Sequence, residues 1–254
     1  LKLLTTGNPK IAKGESLGYL TSILHMAPAR LSGYNVCPMA SAGCTAACLN
    51  IAGRGGMFAG AKTADLTGGE MLEAIRAGSL KNKIQSARIA RTKMFFEQRE
   101  AFFASLVKEI RSAIRLAEKH QLTAVFRLNG TSDLQWEVYP VTVNGVEYSN
   151  IFSAFPLVQF YDYTKIAKRF KRDLPKNYHL TFSLSEDNDR IAYEVLELGG
   201  NVAVVFRKEL PAEYKGRRVV NGDTTDLRFL DPQNVIVGLK AKGKAKKETS
   251  GFVR

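Results

Sequence analysis

The chain has 254 residues, and its 45% hydrophobic and 24% charged content is that of an ordinary globular protein, which excludes a disordered or fibrous chain. No apolar run approaches the roughly 20 residues that span a bilayer, and no signal peptide opens the sequence, so no membrane partner is expected and the expected location is the cytoplasm. Thirty-seven Lys and Arg stand against 24 Asp and Glu, and the formal charge of +13 favours a polyanionic partner, nucleic acid first.

Residues 1–18 carry Gly7, Pro9 and Gly14 among scattered lysines and read as an N-terminal arm. Tyr19 to Ala27 is apolar and β-branched and stops at Pro28, which predicts a strand. A loop with all three cysteines follows: Cys37, Cys44 and Cys48. Cys44 and Cys48 stand four apart in an Ala-rich run, and that spacing predicts one shared face of a helical turn. The glycines at 53, 55 and 56 stop that helix.

Residues 65–121 repeat apolar side chains at helical spacing, with a break at Gly78-Ser79. Gly68-Gly69-Glu70 opens a helix there, with Thr67 and Glu70 as a capping box. Ala124 to Leu128 then begins a different pattern. Strands are predicted at 124–128, 157–161, 179–184, 201–206 and 235–239, with helices at 165–172 and 189–198 and a hairpin about Asn144-Gly145.

Strand, polar turn and helix, repeated, describe parallel βα units. About six such units suit a partial, open βα barrel, with a long helical segment after the cysteine loop. The whole chain, 1–254, reads as one α/β domain with a basic tail at 240–254. The polar clusters fall just after strands, where sites in such folds are built. Asn129, Ser132, Asp133, Asp162, Tyr163, Ser185, Glu186, Arg207 and Asp223 are thus expected to ring one mouth, together with the cysteine loop. Asn, Asp and Ser also cap helices and make turns.

An odd cysteine count in one segment argues against disulfides and for metal or catalysis. Zinc prefers four ligands in closely spaced pairs, and the three histidines, His25, His120 and His179, are scattered. A nucleophilic cysteine needs a base beside it. A [4Fe-4S] cluster fits better, because three thiolates can hold three irons and leave the fourth open. Buried structural cysteines are the remaining reading.

A three-cysteine loop after the first strand of a partial barrel resembles the radical S-adenosylmethionine enzymes. That resemblance implies S-adenosylmethionine at the open iron, with Asn129, Ser132, Asp133, Ser185, Glu186 and Arg207 as candidates for cofactor or substrate contact. The spacing here, six residues and then three, departs from that superfamily's three and two. The cysteine stretch 37–49, Arg127 to Asp133 and Gly222 to Asp226 together resemble a family of bacteriophage gene products, which implies work in the host bacterial cytoplasm. The alternative to an enzyme is a non-catalytic iron–sulfur module that binds nucleic acid or a host protein through its basic surface. Lys240, Lys242, Lys244 and Lys246 alternate as if along one edge, and Lys81, Lys83, Arg88, Arg91 and Lys93 read as a solvated basic face.

Overall fold

A computed structural model describes residues 1–6 and 13–254. The Gly7 and Pro9 part of the expected arm lies outside the described residues. In chain order the elements are β1 (Leu4–Thr5), β2 (Tyr19–Leu24), α1 (Ala42–Ala46), α2 (Gly68–Arg76), α3 (Lys83–Glu97), α4 (Arg99–Lys119) and β3 (Thr123–Arg127). There follow β4 (Val141–Val143), β5 (Val146–Tyr148), α5 (Ile151–Ala154), β6 (Gln159–Thr164), β7 (Tyr178–Ser183), α6 (Asp189–Glu197) and β8 (Asn201–Phe206). The last are β9 (Glu213–Tyr214), β10 (Arg217–Asn221) and β11 (Ile236–Lys240).

Among the described residues nine strands form one open sheet in the order β1-β2-β3-β6-β7-β8-β11-β10-β9. Only its two edge strands run antiparallel to their neighbours. From β2 to β11 the parallel strands step in one direction, so right-handed crossovers place their connections on one face. Packing shows which face. Leu20, Phe126, Phe160 and Leu180 meet Phe102, Leu106 and Ile110 of α4, and Phe182, Val204 and Ile236 meet Val195 and Leu196 of α6. The apolar positions of α4 recur every three or four residues, which is why it lies flat on the sheet.

The opposite face carries the alternate side chains. There Val125 and Tyr161 pack against Leu227 and Phe229, from a stretch of chain that crosses the sheet without a helix. The expected partial barrel is thus an open sheet of nine strands rather than six, with one face covered by helices.

Several local expectations change. The start of the chain is no loose arm: Leu3 and Leu4 are buried, and both backbone N–H groups donate to the Glu109 carboxylate at 2.7 Å. The 165–172 helix is a 3-10 turn at Ala167–Lys171, cut short before Pro175. The helical region breaks a second time at Gln98, whose φ of −140° leaves the helical region. The capping box of Thr67 and Glu70 is present. Asn144 and Gly145, with φ of 53° and 78°, turn the β4–β5 hairpin.

Candidate functional site

The cysteine loop leaves β2 and is tied down on both sides. The Cys37 N–H donates to Asn35 Oδ1 at 3.0 Å, and the Asp133 N–H donates to the Val36 carbonyl at 2.7 Å. That second bond fastens the loop to the turn after β3. Ser41 caps α1 by accepting from the Cys44 N–H at 3.1 Å. A short helix leaves further N–H groups unsatisfied. The Glu186 carboxylate, reaching from the end of β7, accepts from the Gly43 N–H and from the Ser41 hydroxyl, both at 2.7 Å. α1 ends at Ala46, so Cys48 lies beyond it in extended conformation (φ −56°, ψ 126°) and does not share a helical face with Cys44.

All three cysteines line one cavity of about 270 Å³ at the carboxyl ends of the parallel strands. Its floor is a layer of side chains from the helix-free face: Arg127, Tyr163, Ser183, Val205 and Leu239, one from each of β3, β6, β7, β8 and β11. One wall is the cysteine loop with Met39 and Leu49, and another is the turn Asn129 to Asp133. A third is formed by Asp223, Asp226, Lys240 and Lys242, and Ala245 and Phe252 close over the side.

The charges on these walls are mostly paired. Arg127 Nη1 stands 2.9 Å from Asp226 Oδ2. Burial works to lower the Arg127 pKa, but Asp226 outweighs it and the guanidinium is held firmly charged. Asp223 pairs with the Lys242 ammonium and accepts from the Lys240 N–H at 2.8 Å. Asp133 accepts from the Lys165 N–H at 2.8 Å and faces Arg169 at 3.5 Å, while its burial raises its pKa. Lys165 turns its ammonium to Ser183 Oγ, 3.2 Å away, and over the Phe252 ring at 5.5 Å. Burial pushes the Cys37 thiol up to about 12 against the Ala29 N–H. Cys48 is pushed to about 11, also by burial, against the Asn50 N–H and the charges of Arg88 and Lys165.

Of the expected contact residues, Asn129, Ser132 and Asp133 line the cavity, and so do Tyr163 and Asp223. The Asn129 side chain is nonetheless fully engaged in shaping its own turn. Its Oδ1 accepts from Ser132 Oγ, the Leu134 N–H and the Trp136 indole, and its Nδ2 donates to the Leu134 carbonyl at 2.9 Å. Asp162 lies beneath, fully buried, accepting from the Asn129 N–H at 2.6 Å and from the Tyr178 hydroxyl at 2.9 Å.

Ser185, Glu186 and Arg207 stand behind the wall instead. Ser185 bonds Asp187, Glu186 caps α1, and Arg207 donates to the carbonyls of Lys246 and Glu248. The expected lysine comb is likewise absent, because Lys240 ends β11 and residues Gly243–Lys247 form a 3-10 turn. Lys244 donates to the carbonyls of Thr63 and Ala64. Arg88 and Arg91 are half-buried rather than part of a free basic face: they reach to Asn50 and to the carbonyls of Lys2 and His25. Burial, then the charge of Arg88, lowers His25 to about 3, so it is a neutral core side chain.

Arg127, Lys165, Asp226 and Phe252 are cavity residues that sequence reasoning passes over. Period-two alternation could have found Arg127, since it is the charged end of a strand whose inward partner is Val125. Nothing local marks Phe252.

Residues 2–254 match the protein family described as Gene product 88. The chain belongs to that family. The expected likeness to phage gene products is thereby borne out over nearly the whole chain. No curated protein and no solved structure matches it. In this Gene product 88 chain no three His, Cys, Asp or Glu side chains among the described residues are grouped to hold a metal ion. The cysteines therefore open into the cavity at separate points of one wall and do not converge on a single ion. No helix among the described residues is long and apolar enough to cross a membrane.

Proposed function

We propose that Cys37, Cys44 and Cys48 hold a [4Fe-4S] cluster whose fourth iron is open to the cavity. The observation that carries this reading is that every thiol of the chain lines the same 270 Å³ space at the carboxyl edge of the sheet. A mononuclear site needs ligands that meet at one atom, and these do not meet. A four-iron cube is wider than one ion, so thiols that serve it stand apart from one another. Soft thiolate donors suit iron–sulfur chemistry, and the cations of Arg88 and Lys165 near Cys48 offset the negative charge such a cluster brings.

When bound, the cluster supplies an electron donor and a coordination site for a small molecule. The likeness to radical S-adenosylmethionine enzymes makes that cofactor the first candidate, and the singly wound order of the parallel strands is the topology a partial barrel requires. In this reading Ser132 and Asp133 face the bound molecule, Tyr163 and Arg127 lie under it, and Lys165 sits at its side.

The test is anaerobic purification with iron and sulfide analysis. A brown protein whose visible absorbance is lost in the Cys44→Ala variant supports the cluster. A colourless or zinc-loaded product from the same preparation overturns it. Release of 5′-deoxyadenosine on reduction with S-adenosylmethionine identifies the enzyme. The formal charge of +13 favours a second reading, a non-catalytic cluster protein docking on nucleic acid or a host protein. A salt-dependent gel shift with no cofactor cleavage would select it.

A further inference from the structure

The apolar side of α4 lies on the sheet, and that fixes which of its residues point away. Phe102, Leu106, Ile110, Ala113 and Ala117 are buried. At 3.6 residues per turn, Lys108, Arg111, Arg115 and Lys119 fall within an arc of about 80° on the opposite side. Lys108, Arg115 and Lys119 are exposed. Arg111 is half-buried, where it donates to Asn144 Oδ1 in the β4–β5 turn at 3.0 Å. Along the axis the row runs about 17 Å at 1.5 Å per residue.

No carboxylate neutralises this row. Among the described residues none of the four cations forms an ion pair. Arg115 donates to Ser112 Oγ at 3.2 Å. The Glu109 carboxylate is turned away to the N–H groups of Leu3 and Leu4, which leaves Glu118 as the one exposed carboxylate between Lys108 and Lys119. On the same face of the sheet α6 is treated differently. There Lys171 and Arg190 pair with Glu194, Lys215 with Asp189, and Arg217 with Glu197. The surface cations are thus balanced beside one helix and left unbalanced along the other.

Like charges four residues apart on a helix repel and destabilise it. A polyanion laid along the row removes that repulsion, and the flanking residues say which polyanion fits. Ala101, Ala104 and Ser112 share the outward side and are exposed, so the long cationic side chains stand clear of their neighbours. No aromatic ring is among these outward residues, whereas single strands are held by stacking on aromatic platforms. Duplex RNA closes its deep, narrow major groove to side chains. The major groove of duplex DNA is about 12 Å wide and admits a helix.

We propose that α4 is a docking surface for duplex DNA, with Lys108, Arg111, Arg115 and Lys119 set against its phosphates. This locates the nucleic-acid part of the second reading above and rests on that reading, while the cysteines take no part in the contact. The row and the cavity lie on opposite faces of the sheet, so a bound duplex leaves the mouth of the cavity open.

The test measures the affinity of the full chain for a labelled duplex of mixed sequence, about two helical turns long, between about 50 and 200 mM salt. Each phosphate neutralised adds about −0.9 to the slope of log affinity against log salt. The triple variant Lys108→Gln, Arg111→Gln, Arg115→Gln is expected to lose about 2.7 of that slope. A control variant, Lys168→Gln, Lys176→Gln, Lys208→Gln, gives up the same charge at exposed lysines elsewhere and is expected to keep the parental slope. Where the triple variant does not fold, Arg115→Gln alone serves, with an expected loss of about 0.9. Equal losses in triple and control variants, or a parental slope in the α4 variants, overturn the assignment to α4 and leave the nucleic-acid reading standing. Tighter binding to a single strand or to an RNA duplex of the same length overturns the assignment to duplex DNA. A parent chain that binds none of the three overturns the proposal and the nucleic-acid reading together.

Discussion

The Glu186 carboxylate closes the amino end of the cysteine helix by accepting from the Gly43 N–H at 2.7 Å, across 143 residues of chain. One carboxylate, on the turn after β7, thereby sets the position of a helix that belongs to the first βα connection. Its second oxygen holds the Ser41 hydroxyl, which is itself the cap of Cys44. The position of Cys44 is accordingly controlled from behind the cavity wall.

Replacing Glu186 with Ala leaves the Gly43 and Ser41 donors without their charged acceptor. The expected cost is about 1–2 kcal/mol in urea unfolding, because the site is only partly buried. Cys44 should also become more reactive to a thiol reagent under native conditions, with Glu186→Gln intermediate. Equal reactivity in all three proteins would show that the helix does not depend on this cap.

A Gly43→Ala change tests the same joint from the other side. A Cβ at this position meets Ser250 Oγ, with Phe252 Cβ at 2.6 Å and Glu186 Oε2 at 2.9 Å, so the segment that covers the cavity has to shift. Overpacking of this kind costs about 1–3 kcal/mol. Limited proteolysis should cut within residues 246–252 faster in the variant; cleavage at the parental rate would mean that the contact is looser than its geometry.

The single tryptophan offers a local probe of the Asn129 turn. Trp136 is fully buried, and its indole N–H donates to Asn129 Oδ1 at 3.1 Å. Asn129→Ala removes the acceptor shared by three donors, and a loss of roughly 2–3 kcal/mol is expected. Its native-state fluorescence should change as the indole N–H loses its partner. An unaltered emission spectrum would assign the turn to its backbone bonds alone.

Asp162 makes stability depend on pH in an unusual direction. Its burial pushes it up to about 7 from 3.8, against the Asn129 N–H, the charge of Arg127 and the Tyr178 hydroxyl. The folded protein thus holds a proton that the unfolded chain has released, so this group's contribution is greatest below about pH 4. It declines as pH rises towards 7, by at most about 1.4 kcal/mol per pH unit. Asp162→Asn should flatten the pH dependence over this interval. Parallel curves for the two proteins would mean that Asp162 is ionised throughout.

Much of the sheet was readable in the sequence. The short apolar runs at 124–128, 179–184 and 201–206 give way to Asn129, Ser185 and Arg207 because parallel strands are covered on both faces and then turn. The same residue types obscured the site. Asn129, Ser185 and Glu186 stand where ligand contacts are expected, yet they are spent on a turn, a neighbouring carboxylate and a helix cap, because backbone donors and bound molecules call on the same chemistry. Lys165 and Phe252 could not be read, since the ring over which the ammonium sits belongs to a segment remote in sequence. The lysine alternation at 240–246 misled for a related reason: period two describes a strand, and the strand stops at Lys240.

The covering of the cavity by Phe252 sets an order of events during synthesis. Its wall joins residues near 40 to residues near 250, and Val253 pairs beside Val205 of β8 only after both have emerged. At ribosomal speeds the interval is roughly 10–40 s. Throughout that time the thiols of the nascent chain lack their cover, so a thiol reagent meets an open cysteine loop before Phe252 is in place and a covered one afterwards.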